Sequence, residues 1–197
     1  MIYRFHPFTP DDARSMLSWR YPPPLDLYNA DSTPESLDAD VAYVLDPAFH
    51  YHAAVDPAGR MVGFCSFGED AQVPGGDYSR PALDVGLSLN PGLIGQGLGD
   101  GFLAAVLDLS RELFHPDRFR ATVVDFNRRS RRLLEKAGFR QTQTFHPPDR
   151  PQLTFVILER EESGEKAVAQ GHGWAAGETC AQYTNFARRP PVPLPMS

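Results

Sequence analysis

The stretch Leu87-Ser88-Leu89-Asn90-Pro91-Gly92-Leu93-Ile94-Gly95-Gln96-Gly97-Leu98-Gly99-Asp100-Gly101 constrains this chain more than any other. A strand-like apolar run stops at a proline, and alternate glycines at 95, 97, 99 and 101 then open a segment of helical period. Alternate glycines let the backbone curl tightly and turn successive N–H groups into one concavity, where the helix N-terminus adds partial positive charge. Such a cradle suits a diphosphate. Glycine-rich βα turns also occur in P-loops and Rossmann folds, so the surroundings must decide. No Gly-Lys-Ser/Thr is present, and the loop lies mid-chain rather than after the first strand. Where a dinucleotide fold carries an acid about 20 residues on, this chain has Phe114-His115-Pro116.

The flanking patterns make the loop part of a β-α-β unit. Residues 83–89 read as a strand, 97–114 as a helix with Leu98, Phe102, Val106, Leu109 and Leu113 on one side, and 119–124 as the next strand. Upstream, residues 2–8 alternate, and Thr9-Pro10-Asp11-Asp12 supplies an N-cap, a proline at N1 and first-turn acid for a helix over 10–19. Prolines 22–24 then force an extended loop. A second short helix follows Ser32-Thr33-Pro34-Glu35, and 50–56 with 61–68 form a hairpin around Asp56-Pro57-Ala58-Gly59-Arg60. Downstream, a helix over 127–137 stops at Gly138, followed by strands near 139–146 and 152–159. The pattern predicts an α/β fold, a mixed sheet flanked by helices, in one domain over residues 1–162. Residues 163–197, rich in glycine and proline without sustained periodicity, are expected to form a poorly ordered tail.

Composition narrows the partners. Nineteen basic against 25 acidic residues give −6, so no global field favours nucleic acid or a membrane surface, and any anion needs a local site. The two cysteines, Cys65 and Cys180, make neither a disulfide framework nor zinc spacing, and the histidines show no metal pattern. No metal is expected. The start Met1-Ile2-Tyr3-Arg4-Phe5-His6 lacks signal-peptide features, no run of 18 apolar residues appears, and a cytoplasmic location is expected.

Two spaced motifs resemble those of the GNAT superfamily of acyltransferases. Leu87-Ser88-Leu89-Asn90-Pro91 followed by Gly95-Gln96-Gly97-Leu98-Gly99 matches its strand and loop, and Asn127-Arg128-Arg129-Ser130 running to Glu135-Lys136-Ala137-Gly138-Phe139 matches its second motif. Asp84-Val85-Gly86 stands in the register of the Glu-Ile-Gly of the RimJ/RimL-type branch. The resemblance, over about residues 2–160, implies a mostly antiparallel central sheet with a βαβ acyl-CoA-binding core. It implies acetyl-CoA as donor and a primary amine, a protein N-terminus or a small molecule, as acceptor. In its terms the amides of Gly95, Gly97, Leu98 and Gly99 hold the diphosphate, with Ile94 and Gln96 completing the stretch. The backbones of Leu87 and Leu89 pair with the pantetheine arm, and Asn127 and Ser130 line its far side. Relatives often dimerise, so a homodimer is an expected assembly.

The chemistry assigns the remaining candidates. Acetyl transfer needs a neutral amine, a polarised carbonyl and a proton for sulfur. Asp84 is the candidate base, with a solvent-facing strand-end carboxylate as the competing reading. Leu134 occupies the position where many relatives carry a proton-donating tyrosine, which leaves Ser130 or solvent for that task. Arg131, one turn after Asn127, is the favoured partner for CoA phosphate. Trp19, Tyr21 and Tyr28 are the candidate acceptor-binding rings, or else core-capping ones. A non-catalytic acyl-CoA sensor is the rival reading.

Overall fold

A computed structural model describes residues 2–162; the assignments made for residues 163–197, Cys180 among them, lie outside the described residues. Seven strands form one sheet in the order β1-β2-β3-β4-β5-β7-β6. These are β1 (Arg4–Pro7), β2 (His52–Val55), β3 (Met61–Phe67), β4 (Leu83–Leu89), β5 (Arg118–Val124), β6 (Arg140–Phe145) and β7 (Phe155–Glu161). The helices are α1 (Pro10–Leu17), α2 (Leu37–Val44), α3 (Gly99–Phe114) and α4 (Arg128–Lys136). Every neighbouring pair is antiparallel except β4 and β5, which α3 joins as a crossover.

The local signals behave as their chemistry dictates. Thr9 and Asp12 form a reciprocal capping box at α1. Gly138, at φ +89°, closes α4 while Phe139 N–H donates to the Leu134 carbonyl. Helix α1 stops at Leu17, two residues before the expected end, and β7 begins at Phe155 because a turn at 150–153 consumes the start of that run.

Alternation along the strands separates two helical layers. Cys65 and Phe67 pack with Val85, Phe102, Val106 and Leu134, so α3 and α4 cover one face. Phe64, the residue before Cys65, packs with Ala13, Leu17, Trp19, Tyr21 and Val41, which puts α1 and α2 on the other. A third cluster, Val124, Phe145, Phe155 and Ile157, lies beyond β4 and receives Leu27 from the proline-rich loop.

Candidate active site

Only two register pairs join β4 to β5, Leu83 with Phe119 and Asp84 with Arg120. Past them the strands part, while β4 stays paired to β3 as far as Leu89 and β5 to β7 as far as Val124. The direction of the exposed edge follows from parity. The Asp84 carbonyl accepts from Gly68 N–H, and Asn90 N–H donates to the Val62 carbonyl, so backbone groups of Asp84, Gly86 and Ser88 face β3. Those of Val85, Leu87 and Leu89 therefore face the split. Of these, the Leu87 groups and the Leu89 N–H are unpaired and able to bond an extended amide-bearing arm, while the Leu89 carbonyl accepts from Tyr21 Oη.

The glycine loop closes the open end of this split. Gly95 and Gly97 adopt φ of +88° and +75°, which L side chains rarely tolerate. A Cβ on Gly97 would meet nothing within 4 Å and one on Gly95 would meet only Arg129, so the concavity is open where a ligand would sit. No side chain caps α3 at Leu98, and no protein acceptor takes the amides of Gly95, Gly97, Leu98 or Gly99 among the described residues. Uncapped amides beside a helix N-terminus fit a diphosphate. The cationic complement differs from the expected one. Arg131 is tied to Asp125 and Gln141, whereas Arg129 brings Nη1 to 3.8 Å from the position a Gly95 Cβ would take. The competition for Arg131 comes from residues on two other segments, which helical spacing alone cannot reveal.

Asp84 sits at the vertex of the split and is engaged there. Arg120 Nε donates to its Oδ1 at 2.6 Å, Nη2 to its Oδ2 at 2.7 Å, and Gln72 Nε2 to Oδ2 at 2.8 Å. Both side chains are buried, at 4% and 2% exposure, and the Tyr78 ring lies 4.7 Å from the guanidinium. It is therefore no solvent-facing carboxylate, and both of its oxygens are already taken up by hydrogen bonds from Arg120 and Gln72. Arg120 gave no sequence signal, since it is one basic residue inside an apolar strand.

The aromatic loop crosses the split on the α1/α2 side. Asn29 closes it by accepting from Tyr21 N–H at 2.6 Å and donating to the Tyr21 carbonyl at 3.2 Å. Tyr21, buried, places its hydroxyl 2.8 Å from Ser88 Oγ and donates to the Leu89 carbonyl at 3.0 Å. Burial pushes this phenol up to about 12, with the Ser88 hydrogen bond opposing. Tyr28 lies at the other strand: its hydroxyl is beside the Asn127 side chain and the Val124 backbone, burial there raises it, and the rest of the residue is exposed. Trp19 does not line an open surface; it is buried against Phe64 at 5.8 Å. On α4, Asn127 Oδ1 caps the helix by accepting from Ser130 N–H at 3.2 Å, and Leu134 is buried in the core. Cys65 is wholly buried, which raises its thiol and removes it from nucleophilic chemistry. No helix among the described residues is long and apolar enough to cross a membrane, and none of their acidic, histidine and cysteine side chains cluster as a metal site.

Residues 3–140 match the acetyltransferase (GNAT) domain family. A comparison with curated proteins gives no match. Among solved structures, the chain is similar to the ribosomal-protein-S5-alanine acetyltransferase from Vibrio fischeri, at TM-score 0.62 and 16% identity over 83% of this chain and 95% of that one. It is also similar to a spermidine N-acetyltransferase chimera from Vibrio cholerae and hSSAT, at TM-score 0.62 and 14% identity over 81% and 95%. A proposed acetyltransferase from Salmonella typhimurium, solved with its cofactor acetyl-CoA, follows at 0.58 and 16% over 86% and 99%. At these identities the likeness shows the fold.

Proposed function

The chain belongs to the GNAT acetyltransferase domain family, and on that premise we propose that it transfers acetyl from acetyl-CoA to a primary amine, a protein N-terminus or a small-molecule amine, in the manner of the RimJ/RimL-type branch. The observation that carries this reading is the continuity of the uncapped glycine cradle with the unpaired edge of β4. Bound there, acetyl-CoA supplies a thioester carbon open to direct attack by an amine.

The chain's own groups then divide the work. The amides of Gly95, Gly97, Leu98 and Gly99, with Arg129 beside them, hold the diphosphate by charge-assisted hydrogen bonds. Leu87 and Leu89 bond the pantetheine arm through backbone groups on the split side, and an amide there polarises the thioester carbonyl. Asn127, fixed as the cap of α4 beside Tyr28, bounds the β5 side with Ser130. Asp84 acts as a positioning residue by locking the vertex with Arg120, which sets where the strands part. Tyr28, exposed at the mouth, offers a ring to the incoming amine.

The buried Leu134, which leaves α4 without a phenol, also favours a second reading, a sensor that binds acyl-CoA without turning it over. Titration calorimetry of the chain with acetyl-CoA, beside a Gly97→Glu/Gly99→Glu double variant, tests the cradle. A free-thiol assay with an alanine-initiated tetrapeptide and with spermidine separates the readings. Micromolar binding by the parent alone, with amine-dependent thiol release, is the expected result. Binding without release would favour the sensor, and no binding would end both.

A further inference from the structure

We propose that Tyr21, reaching the split from the proline-rich loop, is the proton donor to the departing CoA sulfur, in place of any group on α4. The inference rests on the acyltransferase reading above and adds a catalytic role to a residue that the sequence marks only as a ring for the acceptor.

The placement follows from the strand edge. An arm that starts at the glycine cradle and runs toward the vertex must pass Leu89 and then Leu87, whose backbone groups face the split. Tyr21 donates to the Leu89 carbonyl itself, so its proton lies on that edge. Helix α4 offers no phenol there, since Leu134 is buried in the core, and its one hydroxyl is that of Ser130. Tyr28 is spoken for on the β5 side, next to Asn127 and Val124.

The hydrogen bonds also have a direction suited to the task. Since the single phenolic proton goes to the Leu89 carbonyl, Ser88 Oγ donates to the Tyr21 oxygen. In the step, the amine nitrogen forms a bond to the thioester carbon and the C–S bond breaks. The Tyr21 proton passes from the Leu89 carbonyl to sulfur, leaving a phenolate that the Ser88 hydroxyl stabilises. The proton lost by the amine returns to Tyr21 through Ser88 or water, so the balance is one amide and one thiol. Burial keeps the phenol protonated at neutral pH, ready to donate.

Three proteins test this with acetyl-CoA and whichever of the two acceptors above turns over faster: Tyr21→Phe, Ser130→Ala, and a chain carrying 3,5-difluorotyrosine at position 21. For Tyr21→Phe the expected result is a fall in kcat of about 10²-fold, the size of one general acid. Its calorimetric Kd for acetyl-CoA and its Tm should stay near the parent's. The fluorinated chain, whose phenol is more acidic than tyrosine's in the same buried site, should fold normally and lose rate as pH rises through its lowered ionisation, a response that a purely structural hydroxyl would not give. A parental pH profile in the fluorinated chain would overturn the inference, as would parental kcat in Tyr21→Phe with the loss confined to Ser130→Ala. Failure of the parent to bind acetyl-CoA would instead remove the acyltransferase reading, and this inference with it.

Discussion

Asp84 and Arg120 face each other across the last rung that joins β4 to β5, and past that rung the two strands part. Their ion pair is buried on both sides, with Gln72 and the Arg80 carbonyl taking further hydrogen-bonding capacity. A pair like this contributes little over a well-packed apolar substitute, but half of it is costly to leave behind. Asp84→Asn is expected to lower unfolding stability by about 3–5 kcal/mol, because Arg120 keeps its charge without its partner. An Asp84→Leu/Arg120→Met double variant should recover most of that loss. Urea denaturation of the variants checks both expectations, and equal losses in single and double variants would count against the argument.

The cradle glycines separate backbone strain from ligand contact. Gly97 has φ +75° with open space where a Cβ would stand, whereas Gly101 lies in α3 with nothing near its Cβ position and no positive φ. Gly97→Ala should cost about 1–2 kcal/mol for a left-handed L residue and weaken acetyl-CoA binding at least about tenfold, ~1.4 kcal/mol, by filling the concavity. Gly101→Ala should raise stability by about 0.5–1 kcal/mol through helix propensity. Thermal melts with calorimetry on both variants make the comparison.

Arg129, and not the Arg131 that helical spacing favours, is near the cradle. Arg129→Ala should weaken acetyl-CoA binding by about tenfold, ~1.4 kcal/mol, and reduce the salt dependence of the affinity. Arg131→Ala should act mainly on stability, by up to about 1 kcal/mol as for a partly exposed pair, since Asp125 and Gln141 lose their partner. Calorimetry at two salt concentrations decides; a larger affinity loss for Arg131→Ala would restore the reading from spacing.

Asp70 gives the pH prediction. It is buried, accepts from Tyr43 at 2.6 Å and from Tyr51, and burial raises its carboxyl above the usual carboxylate value against those two hydrogen bonds. A carboxyl raised in the folded state contributes stability that is full below its unfolded value, about 3.9, and is lost as pH climbs through the folded one. Compared with Asp70→Asn, the parent should therefore lose relative stability as pH rises from about 4 toward neutrality. Urea midpoints of the two proteins across that range test the sign, and a difference that runs the other way would show that the two phenols outweigh burial.

What the sequence determined by itself was the local and the periodic. Alternating apolar residues, the Thr9 capping box, Gly138 and the glycine run each act within a turn or two, so the element order and the cradle were legible from residue type and spacing. Family motifs pointed to the same stretch for the cofactor, since the contacts proposed for it are backbone ones. The tertiary structure decided whatever depends on partners distant in sequence. Arg120 meets Asp84 from 36 positions away, Tyr21 reaches Leu89 across 68, and Asp125 with Gln141 draws Arg131 from the cradle. Charge, ring and hydroxyl are visible in a sequence, but the protonation and reach of each are set by what packs against it, and only the folded sheet brings those neighbours together.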